Sequence, residues 1–255
     1  MKQFDVITVP TLKDNYSYLL VNRTTQEAIV IDPSEAAPIL EVLTTHQLRL
    51  MAILNTHHHW DHVGGNQALK NQTQAPIIAH GIDAEKIDGV DIRVHDGENL
   101  HLAGMEIQPI HIPGHTLGHT AYHVPTQGWV FTGDTLFSLG CGRLFEGTAA
   151  MMHQSLQRLA ALPQETLIFP GHEYTAANGQ FARVVDPNNT RLIERLEHLP
   201  QTRCIAPVTL ALERATNPFL RCHRDEMAQP LGLKGRPAVE VFTRLRQMKD
   251  EFRSE

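Results

Sequence analysis

The sequence predicts a layered α/β fold, and two patterns in the chain support this prediction. Short apolar runs separated by polar turns fill most of the first 172 residues, as expected of strands. Segments with helical spacing stand between some of these runs, and such alternation is typical of α/β layers. From residue 173 onward the spacing is mainly helical, so we expect two domains, residues 1–172 and residues 173–255.

The predicted elements follow one another in a simple order. Strands are expected at residues 4–9, 17–21, 28–31, 51–54, 77–79, 105–112, 120–124, 130–132 and 166–169. Helices are expected at residues 35–46, 149–162, 175–185, 190–199 and 237–252. The last of these helices has one apolar side, formed by Val241, Phe242, Leu245, Met248 and Phe252.

Charge and composition exclude several classes of protein. The 255 residues include 22 Lys plus Arg and 28 Asp plus Glu, so the formal net charge is -6, without the basic excess of nucleic-acid-binding proteins. The part of the chain from residue 191 holds 12 basic and 9 acidic residues, which either attract an anionic substrate or form solvated helix faces. No apolar run approaches the ~18 residues of a membrane span, and the first residues lack a signal-peptide pattern. We therefore expect a cytoplasmic protein that binds neither nucleic acid nor membrane.

A run of side chains that bind metals follows the predicted strand at 51–54. Residues 57–62 form the motif H-x-H-x-D-H. In an extended loop His57 and His59 project to the same side, so they can share one cation. The adjacent Asp61 and His62 are expected to diverge. The motif therefore favours two metal ions a few ångströms apart over a single ion.

Three later strands end in a glycine followed by a histidine or an aspartate. The pairs are Gly114-His115, Gly133-Asp134 and Gly171-His172. Glycine permits tight turns and close backbone approach, so such strand ends can present ligands at one edge of a sheet. Each pair alone is explained by an ordinary turn, but all three together with the motif at 57–62 predict a metal site.

These motifs resemble the metallo-β-lactamase superfamily and, within it, the glyoxalase II family of hydroxyacylglutathione hydrolases. The resemblance covers nearly the whole chain, with H-x-H-x-D-H at 57–62, GHT at 114–116, GDTLF at 133–137, GCGRLFEG at 140–147, GHEYT at 171–175 and RQMKDEF at 246–252. It implies an αββα metallo-β-lactamase sandwich, residues 1–172, that carries the catalytic site. A C-terminal α-helical domain, residues 173–255, is implied to bind the substrate.

The resemblance also implies a ligand set for two divalent metal ions. His57, His59 and His115 would hold one ion, Asp61, His62 and His172 the other, and Asp134 would bridge both. Five neutral imidazoles and two carboxylates leave two divalent ions with a formal charge of +2, so the site stays electrophilic. Zn²⁺ suits these ligands best, and Fe and Mn are accepted by the same donors.

The implied reaction is the hydrolysis of S-D-lactoylglutathione to D-lactate and glutathione, a step of methylglyoxal detoxification. A hydroxide that bridges the two metal ions is the expected nucleophile, since a zinc ion can lower the pKa of bound water to about 7. The leaving thiolate has an ordinary pKa of about 8.5 and departs without a general acid. No catalytic side chain separate from the metal-bound hydroxide is therefore expected.

Glutathione, which carries two carboxylates, is implied to contact Arg143, Tyr174, Arg246 and Lys249. Guanidinium groups can grip a carboxylate through two hydrogen bonds. Arg246 and Lys249 lie three residues apart on one helix face. The alternative to substrate contact is that this face is simply exposed to solvent. Phe145 stands where many relatives have Tyr, so one hydroxyl contact to glutathione is expected to be missing and binding to be weaker or altered.

Three further residues near these motifs invite an interpretation. His58 is expected to point away from the metal ions, and Trp60 either packs beneath the motif loop or lines the site entrance. Cys141 stands between two glycines with no partner base, so we expect a packing role for it and not nucleophilic chemistry.

Other functions stay open at the level of sequence. A persulfide dioxygenase shares the scaffold and uses one iron, and a lactonase or β-lactamase is a further hydrolase of this fold. A nuclease fits poorly with a pI of about 6.2. A structural zinc site has four protein ligands and no open position, which seven ligands for two ions do not match. We expect a monomer whose partner is a small-molecule glutathione thioester.

Overall fold

The computed structural model describes residues 3–200 and 204–253 and contains two six-stranded sheets. The first sheet follows chain order, with strands β1 (Phe4–Thr11), β2 (Asn15–Asn22), β3 (Glu27–Ile31), β4 (Arg49–Leu54), β5 (Ile77–His80) and β6 (Ile92–Val94). The first three strands pair antiparallel, and β3 to β6 pair parallel. All eight residues of β2 are buried because this strand lies between two neighbours inside the layers.

The second sheet has the strand order β14-β13-β10-β9-β8-β7. Its strands are β7 (Leu100–Leu102), β8 (Met105–His111), β9 (Thr120–Val124), β10 (Trp129–Gly133), β13 (Leu167–Pro170) and β14 (Val208–Thr209). The strands β11 (Leu136–Phe137) and β12 (Gly140–Cys141) form a small separate hairpin. β8 and β10 both pair antiparallel with β9, and β13 pairs parallel with β10, so β8, β10 and β13 end at the same edge.

Nine α-helices surround the sheets in the described part of the chain. They are α1 (Ala36–Thr45), α2 (Trp60–Val63), α3 (Asn66–Thr73), α4 (Ala149–Ala160), α5 (Thr175–Val185), α6 (Thr190–Glu197), α7 (Leu210–Thr216), α8 (Asp225–Ala228) and α9 (Ala238–Glu251). Within residues 3–200 and 204–253, no helix has the length and apolar character needed to cross a membrane.

Three apolar clusters hold these layers together. The inner cluster joins the two sheets, for example through Leu20 of the first and Phe131 of the second. A second cluster packs α1 and α3 on the outer face of the first sheet. A third packs α4, α5 and α9 on the outer face of the second sheet. The predicted αββα sandwich is therefore confirmed.

The helices after residue 172 share the third cluster with the second sheet. Phe181 of α5 and Phe242 of α9 belong to the same buried group as Val130 and Ile168 of the strands. The strand β14, which the sequence prediction did not include, also pairs with β13. The division into domains at residues 172 and 173 stays a prediction, since the two parts share one core.

Most predicted elements agree with the structure to within two residues at each end. The helix at 175–185 coincides with α5, and the strand at 120–124 coincides with β9. The elements that were not predicted are mostly strands of two or three residues and helices of four to seven, which are too short to show a period. The helix α3 was missed because its sequence, NQALKNQT, is mainly polar and buries only Asn66 and Leu69.

Candidate metal centre

All seven predicted metal ligands lie close together at one edge of the sandwich. His57 and His59 follow β4, and Asp61 and His62 stand on the single turn of α2. His115, Asp134 and His172 follow the ends of β8, β10 and β13, which point the same way. The direction of the strands therefore brings residues from both sheets to one place.

The first cluster consists of His57, His59 and His115. Nδ1 of His59 lies 3.1 Å from Nε2 of His57 and 3.0 Å from Nε2 of His115. Ligands bound tetrahedrally at 2.0–2.1 Å from a zinc ion are separated by roughly 3.3 Å. The three nitrogens thus have nearly the spacing that a cation imposes on its donors.

The second cluster consists of Asp61, His62 and His172. Nε2 of His62 and Nε2 of His172 lie 3.2 Å apart. Oδ2 of Asp61 lies 3.7 Å from Nε2 of His62 and 3.4 Å from Nε2 of His172. The expectation that Asp61 and His62 diverge is therefore wrong. Both residues stand on a helical turn instead of an extended loop, and their side chains meet on one side of it.

Asp134 lies between the two clusters. Oδ2 is 3.5 Å from Nε2 of His115 in the first cluster and 3.3 Å from Nε2 of His172 in the second, and Oδ1 is 3.5 Å from Nε2 of His62. Oδ1 is buried and has no hydrogen-bond partner among the described residues. A buried carboxylate oxygen without a donor is costly, and a cation would satisfy it. The donors present therefore fit two metal ions that share this carboxylate.

Hydrogen bonds on the outer side orient the imidazoles of the first cluster. Nδ1 of His57 donates to Oγ1 of Thr56 (3.0 Å), whose hydroxyl donates to Oδ2 of Asp32 (2.6 Å). Nδ1 of His115 donates to the carbonyl oxygen of Arg143 (2.9 Å). A neutral imidazole has a single N–H, so His57 and His115 both present the lone pair of Nε2 to the cluster.

The second cluster is oriented in the same way by two aspartates. Nδ1 of His62 donates to Oδ2 of Asp32 (3.0 Å), and Nδ1 of His172 donates to Oδ1 of Asp14 (3.0 Å). The side chain of Asn15 donates to Oδ2 of Asp61 (3.0 Å). Each of the three predicted ligand side chains in this cluster thus has a hydrogen-bond partner that fixes its orientation.

The protonation of the two clusters differs. Burial lowers the pKa of His59, and neighbouring histidines lower it further, to about 4. Burial disfavours the charged form of His172, but Asp134, Asp61 and Asp14 outweigh it and raise its pKa to about 11. The second cluster therefore holds a proton in the metal-free chain, and a divalent cation can replace that proton between the histidine and Asp134.

The glycines at the strand ends allow this close approach. A Cβ atom at Gly171 would lie 2.4 Å from Oδ1 of Asp134 and 2.8 Å from Cε1 of His62. Gly133 has a φ of +46° and its Cβ would meet Oγ1 of Thr56 at 2.4 Å. The prediction that these glycines let ligands converge agrees with the geometry.

A cavity of about 350 Å³ opens beside the clusters. It is lined by His115 and Asp134 together with all five predicted substrate-binding residues, which are Arg143, Phe145, Tyr174, Arg246 and Lys249. The structure therefore brings the two predicted sets of residues into one site. Their contact with a substrate stays a prediction.

Arg246 is not on a solvated helix face. It is 4% exposed, and Nη1 donates to the carbonyl oxygens of Cys141 (2.8 Å) and Gly142 (3.4 Å) while Nη2 pairs with Asp250 (2.9 Å). Its guanidinium thus fastens α9 to the β12 segment that precedes Arg143. Lys249 is half-buried over the rings of Phe181 and Phe252.

The aromatic residues of the cavity contact the metal ligands. The exposed ring of Phe145 packs edge-to-face against His59 and His115, with centroids 5.4 and 5.1 Å apart. The ring of Tyr174 stacks on His172 at 4.8 Å and 5°. One ring therefore contacts each cluster, and both residues line the cavity.

Three further predictions concern residues beside the ligands. His58 points away from the clusters toward Asp83, as predicted. Trp60 is 73% exposed, so it does not pack beneath the motif loop. Cys141 is buried in the third apolar cluster, where burial raises the pKa of its thiol, and the predicted packing role agrees with this.

Several residues around the ligands were missed by the sequence analysis. These are Asp14, Asp32, Asp83 and His119. Nε2 of His119 accepts from the backbone N–H of Asp134 (3.0 Å), and its ring stacks on His57 at 4.8 Å. Asp32 directly follows the predicted strand at 28–31, and this position at a strand end could have indicated that it lies near the site. Nothing in the local sequence distinguishes Asp14 or Asp83.

Comparison with known proteins places these observations in a family. A family model for the metallo-beta-lactamase superfamily matches residues 10–172, and one for the hydroxyacylglutathione hydrolase C-terminus matches residues 173–252. Hydroxyacylglutathione hydrolase of Methylococcus capsulatus is 45% identical over 98% of this chain and 99% of its own. The hydroxyacylglutathione hydrolase of Rhodobacter capsulatus is 46% identical over 97% of this chain and 99% of its own. The crystal structure of TTHA1623 in a di-iron-bound form has a TM-score of 0.62 and 29% identity, covering 85% of this chain and 100% of its own.

The two-sheet sandwich with a His and Asp cluster at the strand ends, matched over residues 10–172, defines a protein of the metallo-β-lactamase superfamily. The match of the C-terminal part and the relatives at 45–46% identity over nearly the full chain narrow this class. The chain belongs to the hydroxyacylglutathione hydrolase family.

Proposed function

We propose that this chain hydrolyses S-D-lactoylglutathione to D-lactate and glutathione, a step of methylglyoxal detoxification. The observation that carries the proposal is the position of the cavity. Its lining contains the predicted ligands His115 and Asp134 together with the cationic side chains of Arg143 and Lys249. In a glutathione thioester, the thioester carbonyl must be polarised by an electrophile such as a metal ion. The carboxylates of the glutathione part are bound by cationic side chains.

We propose that the seven predicted ligands hold two zinc ions, with iron or manganese as the alternatives for the same donors. The support is the spacing of the donors and the unsatisfied Oδ1 of Asp134. When bound, the two ions supply Lewis-acid chemistry, which activates water and stabilises negative charge on the attacked carbonyl oxygen.

The protein itself keeps this site electrophilic. Of the seven ligand side chains, only Asp61 and Asp134 are negative, so they neutralise half of the charge of two divalent ions. Asp14 and Asp32 lie behind the histidines and hold their rings without entering the clusters. The leaving thiolate has an ordinary pKa of about 8.5, so the protein needs no general acid to release it.

Substrate binding is assigned to the cationic side of the cavity. The side chain of Arg143 is 68% exposed and only loosely paired with Asp250 at 3.9 Å, so its guanidinium can turn to a carboxylate. Lys249 adds a second cation, and the phenol of Tyr174 stands beside His172. The buried Arg246 orients the loop that carries Arg143 and adds positive charge to the cavity wall.

The setting of the enzyme is part of the same proposal. We propose a cytoplasmic monomer with a catalytic part at residues 1–172 and a substrate-binding part at residues 173–255. The net charge of -6 supports a small-molecule substrate over nucleic acid.

Release of thiol from S-D-lactoylglutathione by the purified, metal-reconstituted protein tests this function. We expect turnover by the wild type and a loss of at least about 100-fold in Asp134→Ala, in which both clusters lose their shared ligand. Circular dichroism should show that this variant is folded. Absence of thiol release at high enzyme concentration, or oxygen uptake with glutathione persulfide instead, would contradict the proposal.

A further inference from the structure

Asp83 is a buried carboxylate outside the two clusters, at the start of the short 3₁₀ helix Asp83–Glu85. It is 1% exposed and accepts four hydrogen bonds. Oδ2 accepts from the backbone N of His58 (3.1 Å), Nδ1 of His58 (3.0 Å) and Oγ1 of Thr116 (2.9 Å), and Oδ1 accepts from the backbone N of Gly118 (3.0 Å). Both oxygens of the carboxylate therefore accept hydrogen bonds, three at Oδ2 and one at Oδ1.

The donors to Asp83 belong to the two loops that carry the whole first cluster. His58 stands between His57 and His59, and Thr116 directly follows His115. A single carboxylate therefore joins a loop of the first sheet to a loop of the second. Hydrogen bonds to a buried charge are stronger than those between neutral groups, so this joint resists separation of the loops.

The group around Asp83 is not a further cation site. His58, Asp83 and Glu146 bring three potential ligand atoms within 4.8 Å of one another. However, the oxygens of Asp83 already face four donors, and the ammonium of Lys86 pairs with Glu146. These contacts satisfy the carboxylates without a metal ion and indicate a structural network.

The second cluster is held by different residues. Asp32 and Asp14 accept from His62 and His172, and Asn15 donates to Asp61. Asp83 takes part in none of these contacts. Its removal should therefore affect one cluster and spare the other.

We propose that Asp83 is a positioning residue that holds His57, His59 and His115 at cation-binding spacing and so sets the metal affinity of the first cluster. Nδ1 of His59 lies 3.1 Å from Nε2 of His57 on its own loop and 3.0 Å from Nε2 of His115 on the other loop, and a fixed joint between the two loops maintains this spacing in the metal-free cluster. A preorganised site then binds its ion without the cost of ordering two loops. This inference rests on the proposed metal centre.

Competitive titration of metal-free protein with Zn²⁺ and a chromophoric chelator tests this role. The wild type should give two dissociation constants. In Asp83→Asn we expect one constant to rise about 10- to 100-fold, as for other residues that orient metal ligands, and the other to change less than about twofold. Asp14→Asn should raise the constant that Asp83→Asn spares, and the double variant should show both effects.

Asp186→Asn is the matched control. Asp186 is a buried carboxylate that binds Arg221 and Asn189 in the helical part, away from both clusters. The substitution Asp186→Asn should lower the melting temperature of the protein and leave both dissociation constants for Zn²⁺ unchanged. If Asp83→Asn behaves like this control, or weakens both constants equally, the proposed role is wrong.

Thr116→Val is the second test and covers the case in which Asp83→Asn does not fold. It removes one of the four hydrogen bonds with little change of shape, and a smaller rise in the same constant is expected. An unchanged constant would overturn the role of Asp83. A wild-type chain that binds no Zn²⁺ in the clusters would overturn the metal centre itself, and this inference with it.

Discussion

Phe145 combines two roles that the sequence does not distinguish. Its ring contacts the imidazoles of His59 and His115, while 64% of the residue remains exposed at the mouth of the cavity. The ring packing is available to tyrosine as well. What phenylalanine lacks is the hydroxyl, and there is room for one.

Phe145→Tyr should strengthen substrate binding. One added hydrogen bond contributes about 0.5–1.5 kcal/mol, so KM for the glutathione thioester should fall about 2- to 10-fold. We expect kcat to change less than about twofold, because substrate and transition state gain the contact equally. Steady-state kinetics measures both constants. Phe145→Leu, which has neither ring nor hydroxyl, should not lower KM, and an unchanged KM in Phe145→Tyr would show that no hydroxyl is missing.

We expect Lys249 to make substrate binding depend on pH. Burial lowers its pKa, and the nearby Arg246 and Arg143 lower it further, to about 8. The lysine is charged below this pH and loses its charge as the pH rises above it. If it binds a carboxylate of glutathione, binding should weaken in the alkaline range.

We expect kcat/KM to fall about tenfold between pH 7 and pH 9 in the wild type, because this ratio follows the ionisation of the free enzyme. In Lys249→Arg the guanidinium stays charged over this range, so the fall should disappear. Rates corrected for spontaneous hydrolysis of the thioester provide the measurement. Identical profiles for the two proteins would exclude Lys249 as the titrating group.

Among the secondary-structure elements, the ends of β8, β10 and β13 determine the site. A glycine and a predicted ligand follow within a few residues of each strand end, and the three strands point in the same direction. The helix α9 reaches the same edge from outside, where Arg246 binds the carbonyl oxygens of residues 141 and 142. The predicted ligands and the predicted substrate-binding residues thus depend on different elements that meet at one edge.

Gly171→Ala should disrupt the metal centre without unfolding the protein. The added methyl group would stand 2.4 Å from Oδ1 of Asp134, so the shared carboxylate must move. We expect a loss of zinc from the purified protein and a fall in kcat of about 10- to 100-fold.

Metal analysis and a thioester assay on the same preparation measure both effects. Gly128→Ala is the control, because its Cβ meets no atom within 4 Å and only the positive φ of +65° is strained. Full zinc content and activity in Gly171→Ala would contradict the packing described for this strand end.

For the whole molecule, the metal centre is a joint between the two sheets. His57 and His59 extend from the first sheet, and His115 completes their cluster from the second. In the same way His62 meets His172 across the sandwich. Ions bound in these clusters would therefore hold together the two layers that the inner apolar cluster already joins.

Removal of the metal ions should lower the melting temperature. Each ion present at 100 times its dissociation constant stabilises the folded state by about 2.7 kcal/mol, so two ions together contribute about 5 kcal/mol. For a chain of this size that corresponds to about 10–20 °C. Calorimetry with and without restored Zn²⁺ measures the difference. Asp134→Ala should show little or no shift, and an equal shift in this variant would indicate that the stabilising ions bind elsewhere.

Much of the fold and of the site was accessible from local sequence. The α/β layers followed from apolar runs, and the seven candidate ligands followed from one motif and three glycine pairs, because side-chain type and strand end are local properties. The αββα arrangement and the assignment of the ligands to two ions were implied by the family resemblance. The turn of α2 was not accessible, since four residues show no period, and the directions of Asp61 and His62 were therefore predicted wrongly.

The sequence by itself determined which side chains can bind metal ions and at which strand ends they stand. Only the tertiary structure decided how they are held. Asp14 reaches His172, Asp83 reaches His58 and Thr116, and Arg246 is buried against the β12 segment. The physical reason is that a hydrogen bond between residues 25 to 158 positions apart depends on how the sheets and helices pack, and packing leaves no local pattern in the chain.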